Sequence, residues 1–584
     1  MTAPLRAAAW AGERRLVLVG DLPGLEPGGV EGTARSGTQP VELTGRCLAP
    51  MGNGRVVILD MAAGEAPSLE LRSNGGAISL HADALEGALV SREELQRLVL
   101  SSALPHLEGP GGFSLGKDLH EIRDALRRPL PQPSIEHDEP QSLLVDRLLA
   151  LDDRAFWIEG WTRDEDGTFT SLTVISPEGQ EVALENAFRF RRPDVEEQLG
   201  EAGPHYKHGF SGLFELPAPS RLENGWIVQW TDPEGRGIET AAPPIDDNAQ
   251  RAQELLLERF TQDKPNREEL RRNHLRPALA RLQHRHRNSI EVESLVDYGV
   301  PSASAAVSVV VTLYGRIDFL HHQVLHFAQD PAMREAELIY VLDSPELAEP
   351  LHHLASQIHA LHGFPFRVAK LSRNAGFPVA NILGTALARG RLLLLLNSDV
   401  LPDRPGWLEQ MVSFYDSQPD IGVLGPKLLF EDDSIQHAGV YFEREADSGL
   451  WGNLHYFKGL HRDFPAATVT RPVPALTGAC LMVDRALYEE VGGLRHEYIL
   501  QGGYEDSDLC LRLIDRGRRN WYLADAELYH LEGQAHAPAS RQTTVEHNAW
   551  LQTEVWGSLI EQVMSEEPAA APDRGGEAEA GGKV

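Results

Sequence analysis

A chain of 584 residues with 42% apolar, 24% charged and 7% aromatic side chains is globular, and at roughly 150 residues per domain it holds several domains. Lys and Arg number 54 against 86 Asp and Glu, and the resulting net charge of -32 argues against broad electrostatic binding of DNA or RNA, so any phosphate must be held locally. Three cysteines, Cys47, Cys480 and Cys510, form neither a disulfide framework nor a CxxC metal spacing. The opening MTAPLRAAAWAGERRLVLVG lacks a charged start followed by an apolar core of signal-peptide length. The purest apolar run, residues 392–396, is far short of the ~20 residues that span a bilayer. A soluble cytoplasmic protein, or one peripheral at the inner face of the membrane, is the expectation.

Residues 1–130 read as a β-rich domain, with strands expected at 16–19, 55–59, 68–71 and 77–80 between Gly and Pro clusters, and a helix around 92–100. The Pro-rich PLPQPS at 129–134 marks a boundary. Residues 131–245 suggest a sandwich, with runs FWIEGW, SLTVI, GFSGLF and WIVQW around the turn Pro177-Glu178-Gly179. Aromatic rings in such a domain either fill its core or, exposed, stack on sugars, and the core reading is preferred.

Residues 246–300 turn helical, with Ala252, Leu255, Leu256 and Phe260 at helical spacing. Within them, 264–287 carries eight Lys or Arg against Glu268 and Glu269. This basic helix is either a solvated linker packed on acidic neighbours or a peripheral contact with an anionic membrane surface. Residues 546–584 read as a helix followed by an Ala/Gly/Glu/Pro-rich tail expected to be disordered.

Residues 301–545 are the informative segment. Apolar strands at 306–312, 337–343, 366–371 and 391–396 alternate with helical patterns at 318–328, 350–362 and 380–388, which predicts an α/β fold with a mostly parallel, Rossmann-like sheet covered on both faces. Ligands of such sheets sit beyond the C-terminal strand ends. Thr312, Tyr314, Asp343, Arg373, Asn374 and Asp399 all lie there.

The stretch SRNAGFPVANILGTALARGRLLLLLNSDVLP at 372–402 resembles the signature of family 2 glycosyltransferases, in the rhamnosyltransferase-like branch that builds bacterial surface polysaccharides. GPKLLFEDDSIQHAGVYF (425–442), TGACLMVDRALYEEVGGL (477–494) and GGYEDSDLCLRLIDRGRRNWYLADAELYHLEG (502–533) extend the resemblance over about 240 residues in the expected order. It says nothing about residues 1–300.

The resemblance implies a GT-A fold, a nucleotide-sugar donor, inversion at the anomeric carbon, a glycan or lipid-linked acceptor and a divalent metal, Mg or Mn. A departing diphosphate needs a cation, which hard oxygen ligands can hold as a Lewis acid. Asn397-Ser398-Asp399 occupies the family's DxD position, Asn replacing the first acid, and His530 matches its late histidine ligand; Asp399 and His530 are thus the implied metal ligands. Glu505-Asp506 matches the family's ED pair. Asp506 is then the general base that takes the acceptor's proton, with Glu505 orienting the acceptor and Asp508 structural. Asp343 fits the nucleobase position, flanked by Thr312 and Tyr314. Arg373 and Asn374 suit the ribose or diphosphate, and Gly478 and Ala479 let backbone approach the donor sugar. His437 meets the acceptor or caps a loop. Two alternatives remain open: a galactofuranosyltransferase-like enzyme, and a glycan-binding or scaffold protein without catalysis.

Overall fold

The computed structural model describes seven strands between residues 5 and 80, and residues 141–566 apart from 165–169, 185, 200–206, 221, 223–224, 234–236, 262–266, 301, 303, 499–502 and 532–540. The expected helix at 92–100, the 129–134 boundary and the tail beyond 566 lie outside the described residues. The chain divides into two units, one of Met1–Ala252 with Lys264–Ala278 and one of Gln253–Asp263 with Leu279–Val584.

In the first unit a seven-stranded sheet runs in the order Leu5–Trp10, Arg15–Gly20, Arg55–Asp60, Pro40–Cys47, Gly28–Arg35, Ser68–Ser73, Gly76–Leu80. All its pairings are antiparallel. The four expected strands are among them. Gly28–Arg35 and Pro40–Cys47 escape a reading by apolar runs because their apolar residues alternate with Gly, Thr and Glu. Two four-stranded sheets follow, Glu181–Ala183, Ser171–Ile175, Ile227–Thr231, Gly237–Ala241 and Phe188–Phe190, Gly209–Glu215, Ala155–Asp164, Gln141–Ala150. Phe156, Phe210, Phe214, Trp226 and Trp230 from both sheets share one core, the Phe156 and Trp226 rings lying 4.6 Å apart. These rings are therefore core and present no face to a sugar.

The basic run is not wholly free. Arg271 is buried and paired with Glu268 at 3.2 Å, and none of Arg267, Arg272, Arg281 and Arg285 is without a partner. Nor does the helical stretch reach residue 300. Val292–Tyr298 is a strand, because its β-branched and aromatic residues pair antiparallel with Phe366–Leu371. Its acids are held by that neighbour, Asp297 by Arg367 at 3.2 Å and Glu293 by Lys370 at 2.8 Å.

The second unit is built on an eleven-stranded mixed sheet. Its main path runs Val292–Tyr298, Phe366–Leu371, Glu337–Leu342, Val307–Leu313, Leu392–Asn397, Cys480–Asp484, Ile421–Leu429, Arg519–His530, Val400–Pro402. Glu337–Leu342 lies parallel to Phe366–Leu371 on one side and to Val307–Leu313 on the other, and Val307–Leu313 lies parallel to Leu392–Asn397. Cys480–Asp484 then pairs antiparallel. Alternate side chains serve opposite faces: Val310, Ile339, Val341, Leu393 and Leu395 enter one core, and Val309, Val311, Leu338, Tyr340, Leu394 and Leu396 the other. Helices Phe319–Phe327, Ala348–His362 and Trp407–Ser417 cover the second core, and Phe377–Ala386 and Glu505–Asp515 the first. This double burial is why the strands read as unbroken apolar runs. Among the described residues no helix is long and apolar enough to cross a membrane.

Candidate active site

Asn397, Ser398 and Asp399 form the turn where Leu392–Asn397 leaves the sheet and Val400–Pro402 begins. Two contacts fix that turn. Asn397 N donates to Ala479 O at 2.9 Å, and the side chain of Gln323, buried on helix Phe319–Phe327, donates through Nε2 to Asn397 O at 2.8 Å and Val400 O at 3.0 Å. Val400 pairs with His530, so the two ends of the sequence motif meet by strand register. His530 Nε2 lies 3.3 Å from Asp399 Oδ1, and the two side chains are 12% and 14% exposed. Asn397 Nδ2 approaches the same ring nitrogen at 3.4 Å. Ser398 is half-buried between them.

These residues fit a divalent cation. Asn397 Oδ1 is buried without a hydrogen-bond partner, and turning over its amide, whose NH2 faces the His530 ring nitrogen, would bring this hard acceptor to the carboxylate and the imidazole. Among the described residues no group of three or more His, Cys, Asp and Glu is placed to hold a metal, so a cation here would take two such ligands and one amide oxygen from the protein. Mg-type sites commonly use one or two carboxylates and complete their shell with water and substrate phosphate.

The second cluster stands at the start of helix Glu505–Asp515. Asp506 Oδ2 accepts from Gly478 N at 2.8 Å and Oδ1 from Ser507 N at 2.7 Å. Burial pushes the carboxyls of both Glu505 and Asp506 above their ordinary range, Glu505 further because the Asp506 charge adjoins it. Tyr504, just before them, has φ of 83°, a left-handed backbone that is strained for an aromatic residue. Asp508 faces inward. It is fully buried and accepts from Trp556 Nε1 and Arg512 Nε at 2.8 Å and from Arg495 at 3.2 Å, which makes it a structural acid.

The donor-side residues divide. Tyr314 is 43% exposed, Arg373 and Asn374 are exposed, and Thr312 is half-buried opposite Asn397 in the parallel register. Asp343 is engaged by its own loop. It is 3% exposed, and its oxygens accept from Ala375 N at 2.5 Å, Gly376 N at 2.9 Å and Asn374 Nδ2 at 3.2 Å. Burial raises its pKa to about 7 against the pull of those backbone amides. Asp343 thus clamps the loop that carries Arg373 and Asn374. Gly478 is not demanded by packing, since an added Cβ would meet Phe377 and Asp506 at ordinary contact distances of 3.4 and 3.5 Å. His437 is buried with its Nδ1 3.1 Å from His455 Nδ1, and its Nε2 is without a hydrogen-bond partner.

Sequence reading passed over Gln323 and Gln436. Gln436 lay inside a quoted motif, yet a glutamine beside a histidine carries no signal of its own. Gln323 has none at all, since its partners are backbone carbonyls 74 and 77 residues away.

Residues 304–553 match the family model described as "Glycosyltransferase like family 2". This segment belongs to glycosyltransferase family 2. Its mixed sheet is the GT-A fold expected of that family. The glycosyltransferase domain has curated relatives: an uncharacterized protein y4gI of Sinorhizobium fredii, 35% identical over 191 residues, 32% of this chain and 20% of that protein; the O-antigen biosynthesis protein RfbC of Myxococcus xanthus, 29% identical over 254 residues, 42% and 18% of the two chains; and an N-acetylglucosaminyl-diphospho-decaprenol L-rhamnosyltransferase of Mycobacterium tuberculosis, 29% identical over 136 residues, 22% and 42%. The chain spans about a fifth of the length of the first two. Among solved structures, GalNAc-T7 with UDP, GalNAc and Mn2+ is 18% identical with a TM-score of 0.35, covering 44% of this chain and 50% of that one.

Proposed function

We propose that the glycosyltransferase domain moves a sugar, with inversion, from a nucleotide-sugar donor to a polysaccharide or lipid-linked glycan acceptor, with a divalent cation at Asn397, Asp399 and His530. The observation that carries this reading is the linkage of two clusters through one dipeptide. Ala479 O receives Asn397 N, and Gly478 N donates to Asp506, so the expected donor-phosphate site and the expected base are built on one backbone segment. The relatives' names, RfbC and the L-rhamnosyltransferase, support surface glycan synthesis as the setting.

In this reading Asp399 Oδ1, His530 Nε2 and Asn397 Oδ1 hold the cation. When bound, it supplies Lewis-acid charge to the departing diphosphate, which a protein of net charge -32 does not supply in bulk. Arg373 and Asn374, carried on the loop clamped by Asp343, grip the donor, and exposed Tyr314 lines its nucleoside. Asp506 takes the proton from the acceptor hydroxyl as it attacks the anomeric carbon. A carboxyl with a raised pKa suits that task, because it binds the proton more strongly than an exposed Asp does. Glu505, buried beside it, has its pKa raised to about 8 by burial and by the Asp506 charge, so it is the member of the pair that keeps its proton while Asp506 ionises.

The test is a panel of dTDP-, UDP- and GDP-sugars with Mn or Mg, comparing wild type with Asp506→Asn. Metal-dependent donor binding by both proteins, with turnover only in the wild type, is expected. Equal turnover would remove Asp506 from the base role. Failure to bind any donor would favour a scaffold protein.

A further inference from the structure

We infer that Gln436 is a positioning residue that holds the His530 imidazole with its proton on Nδ1, so that the bare Nε2 lone pair faces Asp399. This rests on the proposed reading of His530 as a cation ligand, but its first evidence is independent of any metal.

The argument is one of hydrogen-bond polarity. Gln436 makes two contacts with the same residue: Nε2 with His530 O at 3.2 Å and Oε1 with His530 Nδ1 at 2.6 Å. A backbone carbonyl can only accept, so the amide's NH2 end must be the one that faces it. That leaves the amide oxygen, itself only an acceptor, against Nδ1, and Nδ1 must therefore carry the hydrogen. In a neutral imidazole the other nitrogen is then bare. Nε2 is the nitrogen that lies 3.3 Å from Asp399 Oδ1 and 3.4 Å from Asn397 Nδ2. That lone pair and the carboxylate are placed to share a cation, which would take the place of the Asn397 amide hydrogen.

The support behind Gln436 is rigid. It sits on the strand Ile435–His437, all three of whose residues are buried, and that strand pairs with Ile421–Leu429 through Leu428 and His437. The neighbouring His437 is locked against His455 at 3.1 Å. The amide thus comes from a fixed element, and it ties down both the backbone and the ring of His530. Such outer partners of ligating histidines set tautomer and ring direction, and their loss typically costs about 10- to 100-fold in metal affinity.

The experiment uses the full chain, metal-free and labelled with 15N-histidine, at about pH 8, where an ordinary imidazole is neutral. His530 is assigned by loss of its signals in His530→Gln. The ring nitrogens of the wild type should report a proton on Nδ1. Gln436→Leu, close in size, should release the ring to a mixture of tautomers, and Gln436→Met, which likewise lacks the amide, should do the same. Titration with Mn2+ alone, followed by calorimetry, should show affinity lower by about 10- to 100-fold in both variants. A wild-type proton on Nε2, or an unchanged Nδ1–H tautomer in Gln436→Leu, overturns the assignment. If the wild type shows the Nδ1–H tautomer and binds no Mn2+, the cation reading of the site fails while the role of Gln436 in setting the ring stands.

Discussion

Gly478 N donates to Asp506 Oδ2 at 2.8 Å, while Ser507 N occupies the other oxygen at 2.7 Å. Asp506 needs both oxygens as acceptors, and an Asn side chain offers only one. Asp506→Asn therefore leaves one backbone amide without its partner, at a cost of about 1–3 kcal/mol, part of which is offset because a buried charge is removed. Loss of the base itself is larger, about 10²- to 10⁴-fold in kcat. Thermal unfolding and steady-state kinetics on the same preparation separate the two. A modest drop in Tm with a large drop in kcat and little change in donor affinity is expected, whereas parallel losses in all three would make Asp506 a scaffold residue.

Glu505 and Asp506 predict opposite pH trends for stability and activity. Burial raises both folded pKa values, so between the unfolded carboxyl range near ~4 and the raised folded values the native state binds more protons than the unfolded one. Stability contributed by these groups is present at the acid end of that window and is lost as pH rises through it. Activity should run the other way, because the base must be ionised. Tm and kcat/KM measured across the window should slope oppositely, and Asp506→Asn should flatten the Tm slope. A kcat/KM limb with its midpoint at an ordinary carboxylate value would contradict a buried base.

Asp343 is the third test, because it links a buried clamp to donor binding. With its folded pKa at about 7, its protonated form is favoured by folding, and its contribution to stability falls as pH rises from about 4 toward about 7. Asp343→Ala removes the acceptor of Ala375 N and Gly376 N and should cost about 2–4 kcal/mol for two orphaned amides. The same change frees the loop of Arg373 and Asn374, so donor KM should rise more than kcat falls. An unchanged KM would show that the loop keeps its shape without the clamp.

The sheet was legible because its strands are buried on both faces, which leaves runs such as 392–396 with no polar residue to confuse the reading. Asp399 and His530, which the structure brings together, and Asp506 could be singled out because acids and histidines at strand and helix ends carry a chemical reason as well as a family pattern. Asp343 could be singled out for the same reason, but its part as a loop clamp shows only in its 3% exposure and three donors. Val292–Tyr298 was hidden because an edge strand exposed on both faces shows neither alternation nor an apolar run. Amide side chains that serve backbone groups far along the chain give no pattern in one dimension.

Gln323 is such a residue, and its effect can be separated from mere packing. Its Nε2 donates to both Asn397 O and Val400 O, while its own Oε1 has no partner. Gln323→Leu strands two carbonyls but also removes one orphaned acceptor, so a net loss of about 1–3 kcal/mol is expected. Gln323→Glu keeps the shape and replaces the donor by an acceptor facing those carbonyls, with a buried charge added, and should be the more destabilising of the two. If the pinning of the turn matters to the site, both variants should also weaken Mn2+ binding, since Asn397 and Asp399 flank the carbonyls that lose their donor. Chemical denaturation with Mn2+ calorimetry reads both effects. A Glu variant as stable as wild type, or a Leu variant less stable than the Glu variant, would show that side-chain volume and not hydrogen-bond donation holds the turn.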